Sequence, residues 1–171
     1  VLENNEEKDY RNCIALAKDL SGDLPNAYLD IERGFTIRYP NNYSVDTNYK
    51  YQGLGPNKEI SGVKFSIPDS MVTGTNLSNY DTGVSIETLP ASNDCNANLF
   101  IGSNIKAQNV TDAGEEYSFI SRTEGAAGNF YEEEVWSLNK PNYCLAIRYL
   151  IHSTNIANYP TGTVEEFNRS A

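Results

Sequence analysis

The amino-acid sequence predicts an α+β fold, with a mainly antiparallel β-sheet of about six strands flanked by helices. Apolar and polar residues alternate with a period of two in several short stretches between residues 34 and 152, whereas residues 5–20 repeat with the period of a helix. The strand-like stretches follow one another in groups, and the helix-like stretches lie apart from them. This segregation is typical of α+β proteins.

The helical pattern lies near the start of the sequence. In residues 5–20, Tyr10, Ile14 and Ala17 fall on one stripe, and most charged residues lie opposite it. Gly22 follows shortly after and supplies a C-terminal stop. We therefore predict an N-terminal helix over about residues 5–20.

Three strands are predicted before residue 90. Phe35, Ile37 and Tyr39 alternate with polar residues, and Pro40 ends the pattern because proline cannot donate to a sheet ladder. The same alternation returns at residues 63–67 and 84–88, and a proline follows each of these stretches. All three are expected to be half-buried strands.

Three more strands are predicted in the second half of the sequence. Residues 117–122 form the fourth strand, and residues 130–138 and 143–151 flank the turn sequence Asn-Lys-Pro-Asn, which indicates a β-hairpin. Apolar residues occupy both faces of the last strand. We therefore place that strand at the centre of the sheet, with other elements packed over each face.

A short helix and a disulfide are predicted together. Residues 92–102 have a capping residue at one end and Gly102 at the other. Cys95 begins this helix, and Cys144 begins the central strand on the face that also carries Arg148. If the helix packs over that face, a Cys95–Cys144 disulfide closes a loop of about 50 residues and contributes about 4 kcal/mol through loop-closure entropy. The sequence leaves open the alternative of three buried free thiols.

The end of the sequence carries the pattern of a helix start. Thr161 or Thr163 can act as the cap, and Glu165 lies in the first turn, where a carboxylate interacts favourably with the helix dipole. An apolar stripe begins only within the last few residues. We predict a C-terminal helix start over about residues 163–171 and expect the natural chain to continue it.

The composition predicts a single domain over residues 1–171. Of the 171 residues, 39 % are apolar and 21 % are charged, which is ordinary for a folded domain. No internal repeat, low-complexity tract or linker-like stretch marks a second domain. The chain is long enough to bury a substantial core.

The charge of the chain argues against one class of partner. The formal net charge is −10 and the 13 basic residues are scattered, so neither nucleic acid nor anionic lipid is an expected partner. No stretch approaches the roughly 18 apolar residues that a membrane helix needs. The polar, acidic start of the sequence is not a signal peptide, and we expect any targeting segment or lipid-anchor cysteine to lie upstream of Val1.

Few residues are candidates for chemistry. His152 is the single histidine, and a general base would need a positioned nucleophile, whereas the serines near it are close only in sequence. Folding the hairpin about its turn places Glu134 opposite Arg148, as a cross-strand charge pair that stabilises the sheet. His152, Arg148 and Glu134 are the binding candidates, and no catalytic residue is assigned. We predict no metal site and no cofactor, because the cysteines lack metal-ligand spacing.

The first predicted strand resembles that of a known family. The stretch FTIRYP at residues 35–40, followed by Tyr43, is similar to the first-strand phrase of the PsbP-like proteins, in which Tyr-Pro precedes an aromatic residue that is usually Trp. The resemblance implies an α/β/α sandwich. The closing segment is similar to that of secreted or lipoprotein domains of bacteria whose function is unknown. The resemblance implies scaffold or binding roles more than catalysis, and it transfers no active-site residue.

These observations predict a secreted, periplasmic or membrane-anchored bacterial domain that is not an enzyme. We expect it to bind a protein or a polar ligand, because loops rich in Tyr and Asn offer amphipathic area and adaptable hydrogen bonds. Two alternatives stay open. A hydrolase would use His152 with a nearby Ser and requires a hydroxyl group at the imidazole, and a structural subunit of an envelope assembly requires an exposed apolar patch.

Overall fold

The computed structural model describes residues 24–102 and 104–167. In this part of the chain 55 % of the residues lie in strands and 8 % in helices. Every pairing between its strands is antiparallel. The prediction of an α+β, PsbP-like α/β/α sandwich is therefore wrong, because the fold is mostly antiparallel β. The helix predicted over residues 5–20 lies outside the described residues.

The described residues contain ten strands, two short α-helices and one 3-10 helix. The strands are β1 (Asn26–Asp30), β2 (Phe35–Tyr39), β3 (Ser44–Asp46), β4 (Lys50–Tyr51), β5 (Ile60–Ser66), β6 (Leu77–Pro90), β7 (Gln108–Asp112), β8 (Glu115–Ala126), β9 (Asn129–Lys140) and β10 (Tyr143–Thr154), and the helices are α1 (Asp69–Val72), α2 (Asn98–Ile101) and the 3-10 turn Ile156–Asn158. They divide into two compact units, with the boundary between Tyr43 and Ser44. The assignment of the whole chain to one domain stays a prediction.

The first unit contains a two-stranded hairpin. β1 and β2 pair with Asp30 opposite Phe35. The carboxylate of Asp30 accepts a hydrogen bond from the backbone N–H of Arg33 at 2.9 Å and forms an ion pair with its guanidinium at 2.8 Å. Gly34 closes the turn in a left-handed conformation, with φ of 66°. The strand predicted to end before Pro40 is confirmed. β1 was not predicted, because apolar and polar residues do not alternate in its sequence, NAYLD.

The second unit is built on one large sheet. Its strands lie in the order β3-β5-β6-β10-β9-β8-β7, and β4 pairs with β5. The central position predicted for β10 is confirmed, since β10 lies between β6 and β9. No helix in residues 24–102 and 104–167 has the length and apolar character that a membrane crossing requires.

Two-residue turns join the strands from β7 to β9. Ala113-Gly114 connects β7 to β8, and Ala127-Gly128 connects β8 to β9. All four residues have positive φ, between 48° and 85°. This is the conformation of type I′ turns, whose twist matches that of antiparallel strands.

The β9–β10 turn is also a two-residue turn, and the register of the hairpin differs by one residue from the predicted register. Two residues form this turn where four were expected. Glu134 is consequently opposite Tyr149, and Arg148 is opposite Val135. Because successive side chains point to opposite faces, a shift of one residue moves Glu134 to the other face of the sheet. The predicted Glu134–Arg148 pair is therefore wrong.

Helix α2 packs over the face of the sheet that carries Arg148. Phe100 and Ile101 of this helix belong to one buried cluster with Val135 and Ala146 from the sheet. The helix is shorter than the one predicted within residues 92–102, because it begins only at Asn98.

The predicted Cys95–Cys144 disulfide is present. It joins the segment before α2 to the first fully buried residue of β10, with the two Cα atoms 5.5 Å apart. Cys95 and Cys144 are therefore not free thiols, so the alternative of three free thiols is wrong. The covalent link fixes the α2 segment to the centre of the sheet.

The C-terminal helix start predicted over residues 163–171 is wrong for the described part of that range. Glu165 instead forms a parallel bridge with Thr75. The buried side chain of Asn76 accepts a hydrogen bond from the backbone N–H of Phe167 at 2.6 Å. These tertiary hydrogen bonds join residues 165–167 to residues 75 and 76 and override the local helical pattern.

Candidate functional site

A buried arginine lies at the centre of the large sheet. Arg148 is 1 % exposed, and its Nε and Nη2 donate to the two carboxylate oxygens of Glu87, both at 2.7 Å. Nη1 pairs with Glu133, and Nη2 also donates to the backbone oxygen of Phe100 at 2.7 Å. A buried charge is tolerated when it is paired and hydrogen-bonded on most of its donors, and Arg148 meets this condition.

Charges of alternating sign lead from Arg148 towards solvent. Glu133 is shared, because its second carboxylate oxygen accepts a hydrogen bond from Arg122 at 2.6 Å. Arg122 in turn pairs with Glu124 at 2.9 Å. The exposed fraction rises from 0 % for Glu87 to 58 % for the side chain of Glu124. The buried charge cluster, defined as these five residues, therefore has one end open to solvent.

Tyr51 covers the guanidinium of Arg148. Its ring centroid lies 3.5 Å from Arg148 Cζ, and its hydroxyl donates to Glu133 at 3.2 Å. Burial raises the pKa of Tyr51 to about 12, with Arg148 opposing and Glu133 adding to this effect. Burial alone would lower the pKa of Arg148, but the hydrogen bonds and the charge of Glu87 raise it above its ordinary value. Tyr51 is thus neutral and Arg148 charged at physiological pH.

Strand β6 has a bulge where it passes the end of β10. The pairing shifts between Leu150 and His152, which leaves residues 79–82 without directly opposite partners on β10. Thr82 holds the bulge by accepting a hydrogen bond from the backbone N–H of His152 at 3.0 Å. A bulge redirects side chains. Tyr80 lies in this bulge, and its side chain is 84 % exposed.

A polar groove of about 730 Å³ lies on the face of the sheet that carries Arg148, at the open end of the buried charge cluster. Its walls combine aromatic rings with charges of both signs. The aromatic residues are Tyr49, Tyr51, Tyr80 and Tyr131, the cations are Lys50, Lys64 and Arg122, and the carboxylates are Asp46, Asp81, Glu124 and Glu133. The groove therefore offers flat apolar surfaces, hydrogen-bond donors and hydrogen-bond acceptors side by side.

His152 packs behind one of the groove tyrosines. Its ring stacks on Tyr131 with centroids 4.4 Å apart. Nε2 lies 3.1 Å from Asn129 Oδ1, and Nδ1 lies 3.3 Å from Asp81 Oδ2, close enough for an ion pair but without hydrogen-bond geometry. Among the described residues no hydroxyl group hydrogen-bonds to the imidazole. The ring is therefore placed to support Tyr131 and Asp81, both of which line the groove.

The structure places two of the three residues that the sequence suggested for binding on one face of the sheet. Arg148 lies beneath the groove face and His152 at its edge, whereas Glu134 lies on the opposite face. None of the three lines the groove itself.

Sequence reasoning missed the actual partners of Arg148. Glu133 lies next to Glu134, which was selected instead because the predicted register of the hairpin was wrong by one residue. Glu87 comes from β6, 61 residues away along the chain, and only the pairing of β6 with β10 brings it near. No local signal marked Glu87, because in residues 84–88 it falls with Ser85 on the polar side of the alternation, and this side is the buried one in the structure. The groove tyrosines share no sequence pattern.

Comparisons with known proteins assign no family to the chain. No family model matches it, and no curated protein is significantly similar. A crystal structure from Bacteroides thetaiotaomicron VPI-5482 aligns with 85 % of this chain at 12 % sequence identity and a TM-score of 0.46. This chain spans about half of that structure, at 49 % of its length. The resemblance to PsbP-like proteins stays a prediction.

Proposed function

We propose that this protein is a non-catalytic binding module whose groove takes a neutral, hydroxyl-rich ligand such as an oligosaccharide. The observation that carries this proposal is the lining of the groove, where four tyrosines stand among charges of both signs. Tyrosine rings offer apolar faces on which the C–H face of a sugar ring can pack. The carboxylates and cations between them offer acceptors and donors for hydroxyl groups.

The charge of the groove favours a neutral ligand. Four carboxylates and three cations line it, so neither sign dominates. Several of these charges are already paired, as Arg122 is with Glu133 and Glu124. A phosphate or a strongly cationic ligand would gain little from such a surface. A hydroxyl group gains more, because it both donates and accepts hydrogen bonds.

The buried charge cluster supports binding by fixing the groove before the ligand arrives. Glu133 and Tyr51 line the groove, and both contact Arg148 beneath it. Side chains that are already ordered lose less conformational entropy on binding, which improves affinity. The bulge of β6 adds the exposed ring of Tyr80 to the groove.

We also propose that the protein acts outside the cytoplasm, as a secreted or periplasmic bacterial domain of the cell envelope. The Cys95–Cys144 disulfide supports this location, because disulfides persist in oxidising compartments.

Calorimetric titration with a panel of neutral oligosaccharides tests the proposed function. We expect at least one member to bind, and Tyr80→Ala to weaken its binding about fivefold or more, since stacking on one aromatic ring contributes about 1 kcal/mol or more. Tyr80 is 84 % exposed, so the variant should fold normally. Tyr149→Ala is the matched control, because Tyr149 is 42 % exposed and lies outside the groove.

Two results would contradict the proposal. One is that no neutral oligosaccharide binds while a charged saccharide does. The other is that Tyr80→Ala and Tyr149→Ala weaken binding of a neutral oligosaccharide equally.

A further inference from the structure

The face of the sheet opposite the groove has a cavity of its own, with a volume of about 310 Å³. Side chains from β7, β8, β9 and β10 line it. These residues are Asp112, Tyr117, Glu134, Trp136, Ile147 and Tyr149. We call it the tryptophan cavity.

The register of the sheet places three aromatic rings around this cavity. Trp136 is directly opposite Ile147 on β10, and Glu134 is directly opposite Tyr149. The ring of Tyr117 meets Trp136 edge to face, with centroids 6.1 Å apart and planes at 81°. Aromatic rings present an electronegative face, so a cavity bounded by several of them attracts positive charge.

The charged residues of the cavity have one sign. Asp112 and Glu134 contribute carboxylates, and no Lys, Arg or His is among the described residues that line it. Burial raises the pKa of Tyr149, and the nearby charge of Glu134 raises it further. The tryptophan cavity therefore differs from the groove, where cations and carboxylates nearly balance.

The exposure of Tyr149 shows that the cavity is open to solvent. Its side chain is 42 % exposed, although it lies in the central strand of the sheet. The volume is at the lower end of the range for ligand pockets, which suits one compact group better than an extended chain.

We propose that the tryptophan cavity binds an alkylammonium group, held by its aromatic rings and by the carboxylates of Asp112 and Glu134. The group can belong to a free amine or to a lysine side chain, since both present the same ammonium on an apolar stem. The formal net charge of −10 favours the approach of such a cation. This site is separate from the groove, and its ligand chemistry is different.

Tryptophan fluorescence provides a direct test, because Trp136 is the single tryptophan of the chain. The probe is butylammonium chloride, titrated at constant ionic strength, with 1-pentanol as the neutral analogue and butyrate as the anionic one. We expect a saturable change in Trp136 emission with butylammonium, with a dissociation constant of the order of millimolar, as is typical for a fragment. The two analogues should bind at least fivefold more weakly.

Amide replacements test the role of the carboxylates. Glu134→Gln should weaken butylammonium binding about fivefold or more. Asp112→Asn, at an exposed position, should also weaken it, and it remains a valid test if Glu134→Gln folds poorly. Tyr80→Ala should leave it unchanged, since Tyr80 belongs to the groove. N-acetyl-lysine amide distinguishes the two sources of the cation. Binding equal to that of butylammonium indicates a lysine side chain, and much weaker binding indicates a free amine.

Three outcomes would overturn the proposal: equal binding of 1-pentanol and butylammonium, no effect of both amide replacements, or no saturable change in Trp136 emission. None of them bears on the groove. Failure here is therefore distinguishable from failure of the proposed function, which is tested with oligosaccharides and with Tyr80→Ala.

Discussion

On one face of the large sheet, the groove combines tyrosines with charges of both signs and lies above the buried charge cluster. On the other face, the charged residues that line the tryptophan cavity beside its aromatic rings are carboxylates. Both surfaces take residues from β8, β9 and β10. Glu133 and Glu134 are neighbours in β9, yet one pairs with the buried Arg148 and the other lines the tryptophan cavity. Because successive side chains of a strand point to opposite faces, adjacent carboxylates take part in two different sites. The register of each hairpin therefore decides which ligand chemistry each face can support.

Replacing the buried arginine, which lies beneath only one of the two faces, should have the largest effect on the stability of the fold. Arg148→Met leaves Glu87 and Glu133 buried without their shared cation, and we expect it to lower the free energy of unfolding by about 3–5 kcal/mol. Chemical denaturation followed by circular dichroism measures this loss. Lys50→Met is the control, because Lys50 and Glu59 form an exposed pair that contributes about 0–1 kcal/mol. A loss below about 1 kcal/mol for Arg148→Met would show that the cluster does not stabilise the fold.

Removing the disulfide should have the next largest effect. The double variant Cys95→Ala with Cys144→Ala opens a loop of about 50 residues, and we expect the free energy of unfolding to fall by about 4 kcal/mol. Urea denaturation of the wild type with and without reductant, beside the double variant, measures the loss. Reductant should destabilise the wild type and leave the double variant unchanged. Equal stability of wild type and variant would mean that the bridge does not constrain the unfolded chain.

The two faces should also respond differently to high pH. The pKa of Tyr51 is raised from 10.0 to about 12 in the folded protein, so its contribution to stability is present below pH 10 and is lost as the pH rises towards 12. We expect the wild type to lose about 2 kcal/mol more than Tyr51→Phe between pH 9 and about pH 11.5. Tyr149, which is far more exposed, should contribute less. If Tyr149→Phe protected against alkali better than Tyr51→Phe, burial would not be the cause.

The smallest effect concerns the turn that sets the register of β8 against β9. Ala127 has φ of 50°, a left-handed conformation that asparagine tolerates better than alanine, and Gly128 follows it. Ala127→Asn should therefore stabilise the fold by about 0.5 kcal/mol, measured as a rise in the midpoint of thermal unfolding. Ala91→Asn, at an exposed position outside these turns, is the control and should have little effect. A lower midpoint for Ala127→Asn would contradict the type I′ assignment.

The sequence predicted what depends on local alternation and on one covalent link. Strands at Phe35–Tyr39, Asn129–Lys140 and Tyr143–Thr154 follow from their apolar residues, and the Cys95–Cys144 bridge follows from placing a short segment over the right face. The predicted C-terminal helix failed because hydrogen bonds with Asn76, far away in sequence, hold residues 165–167 in a non-helical conformation. Local propensity carries no information about such a partner.

The candidate site was predictable only in part. Arg148 was predicted as one member of a cross-strand charge pair, but its actual partners depend on the register of the β9–β10 hairpin and on the pairing of β6 with β10. Tyr51 and Tyr80 join the groove through the two-residue strand β4 and through a bulge in β6. Neither feature has a periodic signature in the sequence, so neither could be read from it.

The separation of the two faces can be tested with one set of two-dimensional ¹H–¹⁵N NMR spectra. The protein is titrated with butylammonium and, in a parallel sample, with the neutral oligosaccharide that binds best. Two side-chain signals report on the two surfaces, the indole N–H of Trp136 and the carboxamide of Gln52 in the groove. We expect butylammonium to shift the Trp136 signal and the oligosaccharide to shift the Gln52 signal, each with little effect on the other. Displacement of the same signal by both ligands would contradict the assignment of different ligand chemistry to the two faces.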